Sequence, residues 1–489
     1  MSVIEIFIVE RDATIKEALI QINKNAYGIC FVVSDKKLVG VLTDGDIRRA
    51  LINNVQLDDC VDKVMNTNYV AMHIDTPSKE VRRRISDHIR VIPLVNTDGE
   101  IVDISNIKKT HAFPLMEPYI SEKESEYVND CLETGWISSR GKYVHRFEQE
   151  FEKLHPGMFA VAVSNGTVAL QLAMLAIGIK QGDEVIVPNL TFVASVNTII
   201  HCGATPVLCE IDPITWCIDP EEIKKLINSK TKAIMPVHLY GQVCNMDEIN
   251  KIANENDIYV IEDCAEALGS KWKSENVGTF GHASTFSFFG NKTITTGEGG
   301  MVLFRSKEDS EKARILRDHG MSTNRRYWHD VIGYNFRLTN IQAAIGVAQL
   351  EKYDEIINRK IHIGRYYSEL LKNHKLVAQI PELNNNIENS YWIFTFLLNK
   401  KINREDVMAK LLEFGIETRP VFYPLHQMPP YKNYKKSGSL ENSVNISQQG
   451  ISLPSSMSLS DLNIQYIVYC FNKIAENKLL SHDILINYK

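Results

Sequence analysis

The sequence predicts an α/β chain in which an open sheet with crossover helices follows a small repeated module. Three observations predict it. The first hundred-odd residues repeat themselves, short apolar runs then alternate with helical stretches, and polar clusters fall where those runs end. At 489 residues the chain exceeds one ordinary core, and 44% apolar with 23% charged residues describe a folded protein. A formal charge of −6 gives no electrostatic reason to expect nucleic acid or an anionic membrane. Nine cysteines are scattered without C-x-x-C or zinc-type spacing, so no metal site is expected. No signal-peptide pattern opens the sequence, which points to a reducing, cytoplasmic compartment.

The repeat comes first in the chain. DATIKEALIQINKNAYGICFVVSDKKLVGVLTDGDIRRAL starts at Asp12, and DTPSKEVRRRISDHIRVIPLVNTDGEIVDISNI starts at Asp75, sixty-three positions later. Each copy reads as a helix, an apolar strand (ICFVV, VIPLV), a polar turn (SDKK, NTDGE) and a second strand (LVGVL, IVDI). One copy cannot bury its own strands, so the two together are expected as a domain over 1–112. HAFPLMEPYI, from His111, has two prolines and no period, as a linker would.

Beyond it DEVIVPN, ATPVLCEI, KAIMPVHL, IYVIEDC and GGMVLF read as strands between helices, giving a main catalytic body over 113–355. The apolar run from Phe159 to Ile179 is interrupted by Ser164, Asn165 and Gly166, and so reads as strand, turn and buried helix rather than a membrane span. From about Tyr353 long helices lead into a smaller α+β segment, 356–489.

Three stretches carry chemistry. SNGTVALQLAML opens a helix whose free amides suit a phosphate, although many such stretches are plain caps. IYVIEDCAEALGS puts Glu262, Asp263 and Glu266 at the carboxyl end of a buried strand, where α/β sheets bind ligands. A carboxylate there can cap a helix, or hold a proton on a pyridine nitrogen. SFFGNKTITTGEGG sets one lysine, Lys292, in a tight loop, and a lysine amine can bond an aldehyde and later move a proton. A solvated surface lysine is the bland alternative. In combination the three are the parts needed to hold pyridoxal phosphate.

Two resemblances add to this. Residues 1–110 resemble a tandem pair of CBS motifs, modules that often bind adenine nucleotides. That likeness implies a ribose contact at Thr43 and Asp46, while DISNIKK in the second copy lacks the matching Asp. A role limited to dimerisation or docking is the alternative.

From Pro114 onward the sequence resembles the DegT/DnrJ/EryC1/StrS sugar aminotransferases. The likeness rests on GWISSRGKYVHRFE, VSNGTVALQLAM, IVPNLTFVASVN, MPVHLYGQ, VIEDCAEALG, SFFGNKTITTGEGGM, RRYWHDVIGYNFRLTNIQAAIGVAQLE, ETRPVFYPLHQMPPY and SLPSS. It implies fold type I, with a mixed seven-stranded sheet and a small C-terminal domain. It also implies a homodimer (a tetramer if the CBS pair joins two) and pyridoxal phosphate, cycling through pyridoxamine phosphate.

By position it assigns Lys292 as the covalent cofactor lysine and Asp263 as partner of the pyridinium nitrogen. Gly166, Thr167 and Ser287 would contact the phosphate, Phe192 the ring face, and Glu266 the ring hydroxyl side. Asn335 would reach the phosphate from a partner subunit. Trp136, Ser138, Arg140, Tyr327, Trp328, Arg419 and His426 are candidates for the substrate end, with core or interface roles as the alternative for the aromatics.

Phe289 stands where many relatives carry a His. The FFGNK, RRYWHD and RPVFYP variants are like those of members acting on GDP-4-keto-6-deoxymannose with L-glutamate as donor, for a surface polysaccharide such as O-antigen. The rivals are a UDP-4-keto sugar aminotransferase, a dehydratase of the superfamily (which has His in place of Lys292), and a CBS nucleotide sensor over a silent scaffold.

Overall fold

The computed structural model describes residues 4–25, 27–76, 78–86, 89–106, 113–381 and 386–475. Part of DISNIKK, with His111, lies outside them. The chain forms two compact units, one of 1–114, 405–418 and 458–489, the other of 115–404 and 419–457.

In the first unit the repeat folds as two like halves. Strand β1 (Ile8–Glu10) runs parallel to β2 (Ile29–Ser34), which pairs antiparallel with β3 (Lys37–Thr43). Strands β4 (Met72–His73), β5 (Val91–Val95) and β6 (Ile101–Asn106) repeat that order and those directions. The helix Ile15–Asn25 follows β1 and the helix Ser78–Arg84 follows β4. Asp35 and Lys36 both have positive φ, which matches the turn twist of a tight hairpin.

Phe7, Phe31 and Val33 of one half share a core with Val91, Ile101 and Ile104 of the other, which is why neither half suffices alone. The helix Asp461–Ala475 joins them: Asn463 Nδ2 donates to the Val102 carbonyl (2.8 Å) and Lys473 pairs with Asp75 (3.0 Å).

The stretch expected as a linker is partly built in. Phe113, 3% exposed, bonds through its N–H to the Gly415 carbonyl (2.7 Å) and through its carbonyl to the Glu417 N–H (2.9 Å). Its apolar side chain supplies the reason, and a proline-rich reading of the segment overlooks it.

The second unit is built on a mixed seven-stranded sheet. Strands β7 (Phe159–Val163), β8 (Glu184–Pro188), β9 (Thr205–Cys209), β10 (Thr231–Ile234) and β11 (Tyr259–Asp263) come first in the chain. After a short hairpin of β12 (Lys271–Trp272) and β13 (Glu275–Asn276) come β14 (Ala283–Ser287) and β15 (Gly300–Phe304). The sheet order is β7-β15-β14-β11-β10-β8-β9, parallel except where β15 meets its two neighbours.

Both faces are apolar and buried. Along β15, Met301 and Leu303 enter the core with Phe147, Phe151 and Ile249, whereas Val302 and Phe304 enter the one with Leu170 and Val196. Helices Lys142–Leu154, Met246–Glu255 and Asn340–Glu351 cover the first face; Gly166–Ala176, Val193–His201 and Lys307–Arg317 cover the second.

A long helix, Tyr353–Leu371, leads to a smaller sheet of β16 (Val377–Gln379), β18 (Phe394–Leu398), β20 (Gly450–Leu453) and β19 (Arg419–Pro420), while β17 (Ile387–Glu388) pairs with β12.

Candidate active site

The strand directions bring the carboxyl ends of β7, β8, β11 and β14 to one edge of the large sheet, together with the start of β15. All three chemical stretches read from the sequence end there.

At the end of β7, Asn165 caps the helix Gly166–Ala176 by accepting from the Val168 N–H (3.0 Å), and its carbonyl accepts from Ala169. Among the described residues this leaves the amides of Gly166 and Thr167 without a partner. A Cβ on Gly166 would lie 2.8 Å from Ser287 Cβ, so only glycine lets the end of β14 approach this helix. The Ser287 hydroxyl thereby sits beside the open amides.

At the end of β11, Asp263 is 4% exposed. Its Oδ2 accepts from Ser195 Oγ (2.8 Å) and its Oδ1 from the Ala265 N–H (3.1 Å). Burial raises its pKa, against the lowering effect of these bonds and of Lys292. Ser195 is in turn 3.1 Å from Thr191 Oγ1, so the carboxylate is held at a fixed rotamer.

Beneath it, His238 Nδ1 accepts from the Cys244 N–H, which leaves Nε2 to donate to Glu262 (3.1 Å). Burial would raise the Glu262 pKa, but His238 and the amides of Gly278 and Gly281 hold it below the usual value. This group, with Cys264 nearby, is a closed hydrogen-bond network rather than an open ligand set.

The loop after β14 closes on itself: the Thr296 N–H and the Thr295 hydroxyl both donate to the Phe288 carbonyl, and the Lys292 N–H donates to Phe289. The turn aims Lys292 inward, leaving its side chain 13% exposed. Its Nζ lies 3.8 Å from Glu266 Oε1 and 3.7 Å from the centre of the Trp392 ring. Burial lowers the lysine pKa, opposed by Glu266 and Asp263. Glu266, whose Oε2 accepts from the Tyr240 N–H (3.0 Å), is pushed up to about 7 by burial. The surface-lysine alternative therefore fails.

Around this centre, Phe192 caps the next helix and is 55% exposed, its ring 5.8 Å from Phe422. Phe422 stacks on Tyr240 (5.4 Å), and Tyr240 on Trp392 (6.0 Å, 8°). His426 is fixed to Asn189, its N–H on Asn189 Oδ1 (3.1 Å), and burial lowers its pKa. Arg419 starts β19.

Trp136 and Arg140 line a separate cavity of about 420 Å³ with Asp130 and Lys142. Asn340 holds its rim, donating to the Trp136 carbonyl and the Ser138 carbonyl (2.6 and 2.8 Å). Tyr327 and Trp328 stand out at 74% and 50% exposure, and the exposed Asn335 accepts from Arg337 (3.0 Å). No hydrogen bond, ion pair or ring contact among the described residues joins Trp136, Ser138, Arg140, Tyr327, Trp328 or Asn335 to Lys292.

In the other unit, Thr43 and Asp46 form a capping box on the helix Asp44–Ile52, with the Thr43 hydroxyl 2.6 Å from Asp46 Oδ2. Sequence reasoning missed Ser195, Tyr240 and Trp392. Ser195 and Tyr240 fall inside motifs already singled out, but nothing local marks Trp392.

The chain is similar to known proteins along most of its length. Residues 118–472 match the DegT/DnrJ/EryC1/StrS aminotransferase family, and residues 2–53 match the CBS domain. A GDP-perosamine synthase of Escherichia coli O157:H7 is 48% identical over 366 residues, 75% of this chain and 99% of its own length. One from Vibrio cholerae is 47% identical over 359 residues, 73% of this chain and 97% of its own. The solved structure of Helicobacter pylori PseC, an aminotransferase involved in the biosynthesis of pseudoaminic acid, superposes with a TM-score of 0.72. It is 27% identical, covering 75% of this chain and all of that one. With an N-terminal CBS domain attached, this chain belongs to the DegT/DnrJ/EryC1/StrS family and is a pyridoxal-phosphate-dependent sugar aminotransferase.

Proposed function

We propose that the protein transfers the amino group of L-glutamate to C4 of GDP-4-keto-6-deoxy-D-mannose, releasing 2-oxoglutarate and GDP-perosamine. The observation that carries the sugar assignment is the similarity to two GDP-perosamine synthases over nearly their whole lengths. The product would serve a surface polysaccharide such as O-antigen.

The residues at the sheet edge fit pyridoxal phosphate. The open amides of Gly166 and Thr167 and the Ser287 hydroxyl suit its phosphate. Asp263 spends two of about four acceptor positions on Ser195 and Ala265, so it retains capacity for a pyridinium N–H. Phe192 would lie against the ring face and Glu266 toward the ring hydroxyl. When bound, the cofactor supplies an electron sink for the carbon that loses its proton.

The chain's own groups do the rest. Asp263 keeps the ring nitrogen protonated, because its fixed negative charge stabilises the cation. Lys292, whose pKa burial lowers, accepts the proton from the donor's α-carbon and later delivers one to sugar C4. Trp136, Ser138, Arg140, Tyr327, Trp328, Arg419 and His426 are assigned to the nucleotide sugar, the arginines to its diphosphate. Asn335 is assigned to the cofactor phosphate of a second copy, which makes a homodimer the active form.

Residues 1–112 act as a tandem CBS pair that regulates or assembles the enzyme. A nucleotide at Thr43 and Asp46 would bind over an intact capping box.

The test incubates the cofactor-loaded protein with L-glutamate and either the GDP-linked or a UDP-linked 4-keto-6-deoxy sugar. Release of 2-oxoglutarate and an amino-sugar nucleotide by mass spectrometry is expected with the GDP substrate alone. Turnover of the UDP sugar alone would transfer the assignment to the rival aminotransferase.

A further inference from the structure

The second unit buries another lysine for which the reaction above has no use. Lys360 lies on the helix Tyr353–Leu371 and is 1% exposed. Its Nζ donates to the carbonyls of Trp392 and Ser455, both at 2.6 Å, and lies 3.4 Å from the Met116 sulfur. These are neutral acceptors on three separate segments. Burial alone moves the amine down to about 7, with no charged side chain contributing. An apolar residue would fill the same volume without that desolvation cost, so filling space does not account for an amine here.

What Lys360 holds is the main chain of Trp392, and the indole of Trp392 is fastened to the Lys292 loop twice. Its Nε1–H donates to the carbonyl of Asn291 (2.7 Å), the residue before Lys292. Its face receives the Lys292 amine at 3.7 Å, while Tyr240 stacks parallel to it. Tyr240 in turn holds Glu266 through its N–H. Shifting the Trp392 carbonyl would tilt the ring away from the amine and loosen the indole bond to the loop.

We propose that Lys360 is a positioning residue for Lys292, acting through Trp392: it fixes the indole face on which the free Lys292 amine rests between its proton transfers. This rests on the reading of Lys292 as the working lysine. A ring face favours the charged amine, so misplacing the ring makes the neutral, reactive form more abundant at a given pH.

The test uses the full chain freed of cofactor. Lys292 is labelled with an amine-reactive reagent across pH 6–10, and the rate is read on the Lys292 peptide by mass spectrometry. Lys360→Met is expected to label about threefold faster at pH 7 than the unchanged protein, within the usual span of such contacts. In a Trp392→Leu background the same change should have no further effect. If Lys360→Met loses its fold by circular dichroism, Lys360→Gln, whose side chain ends one bond short of the lysine amine and so cannot hold both carbonyls, takes its place with the same expected outcome.

A purely structural lysine would lower the melting temperature and leave the labelling profile unmoved, which overturns the proposal. An equal shift in the Trp392→Leu background also overturns it, because the effect would not pass through the indole. The labelling does not depend on Lys292 bonding the cofactor. Undiminished turnover by Lys292→Ala would sink the functional reading while leaving the labelling result to stand on its own.

Discussion

Two helix ends, one in each unit, show how similar sequence signals part company. At Asp44–Ile52 the cap closes on itself: Thr43 takes the Asp46 N–H, Asp46 takes the Thr43 N–H, and Arg49 covers the remaining carboxylate oxygen. At Gly166–Ala176 the cap Asn165 answers only Val168, and the next two amides stay open beside Ser287. Both ends offer the same dipole. What separates them is the first helical amide and the charge beside it: the Asp44 N–H is taken by the Gly28 carbonyl and two carboxylates sit in that first turn, whereas the Gly166 amide is open and no acid stands in its turn.

The contrast can be broken in steps. Lys292→Ala should cost the largest amount, on the order of 10³ in aminotransfer rate, measured by 2-oxoglutarate release. A rate within tenfold of the unchanged enzyme would remove the chemistry from the open end. Gly166→Val comes next, since even a Cβ would crowd Ser287 at 2.8 Å. Cofactor affinity, followed by absorbance titration, should fall about a hundredfold, or roughly 2.7 kcal/mol, with the circular dichroism spectrum kept.

The third step sets Lys360 against Lys292. A lysine at about 7 in the fold and near 10.5 unfolded holds fewer protons in the native state between those values, so its contribution to stability rises with pH across that window. Lys360→Met should flatten the climb in unfolding free energy between pH 7 and 10, read by chemical denaturation, by several kcal/mol at most. An unaltered slope would show that the amine is not titrating there. The smallest step is Thr43→Ala, which should cost about 1 kcal/mol in chemical denaturation and leave aminotransfer untouched. A fall in activity in the presence of an adenine nucleotide would instead make the closed cap a ligand contact.

Much of this was legible from local pattern. The runs DEVIVPN, ATPVLCEI, IYVIEDC and GGMVLF all contain strands, because central strands buried on both faces read as apolar runs. The strand Ala283–Ser287 escaped notice: its ASTFS sequence is small and polar, and its place in the sheet comes from its neighbours β11 and β15. The same holds for the site. Gly166, Asp263, Glu266 and Lys292 announce themselves through their flanking residues. Trp392 and Lys360 do not, since they act across 100 and 68 positions on Lys292, and only folding brings them there. Phe113 shows the reverse error, a proline-flanked apolar residue read as linker although it is hydrogen-bonded on both sides of its peptide.

The helix Asp461–Ala475 carries a consequence for how such a fusion can be taken apart. The family match extends to residue 472 and so takes in most of this helix. Yet Asn463 reaches Val102 and Tyr466 reaches the Ile74 carbonyl, both in the N-terminal module. The helix thus falls within the family match by sequence and packs with the N-terminal module by its contacts. Excising the module would bare Tyr466, which is 5% exposed, along with its neighbours, and leave a sticky stump. A truncated enzyme that aggregates would then report a bared helix rather than a lost regulator, and single changes at Asn463 or Lys473 are the cleaner cut.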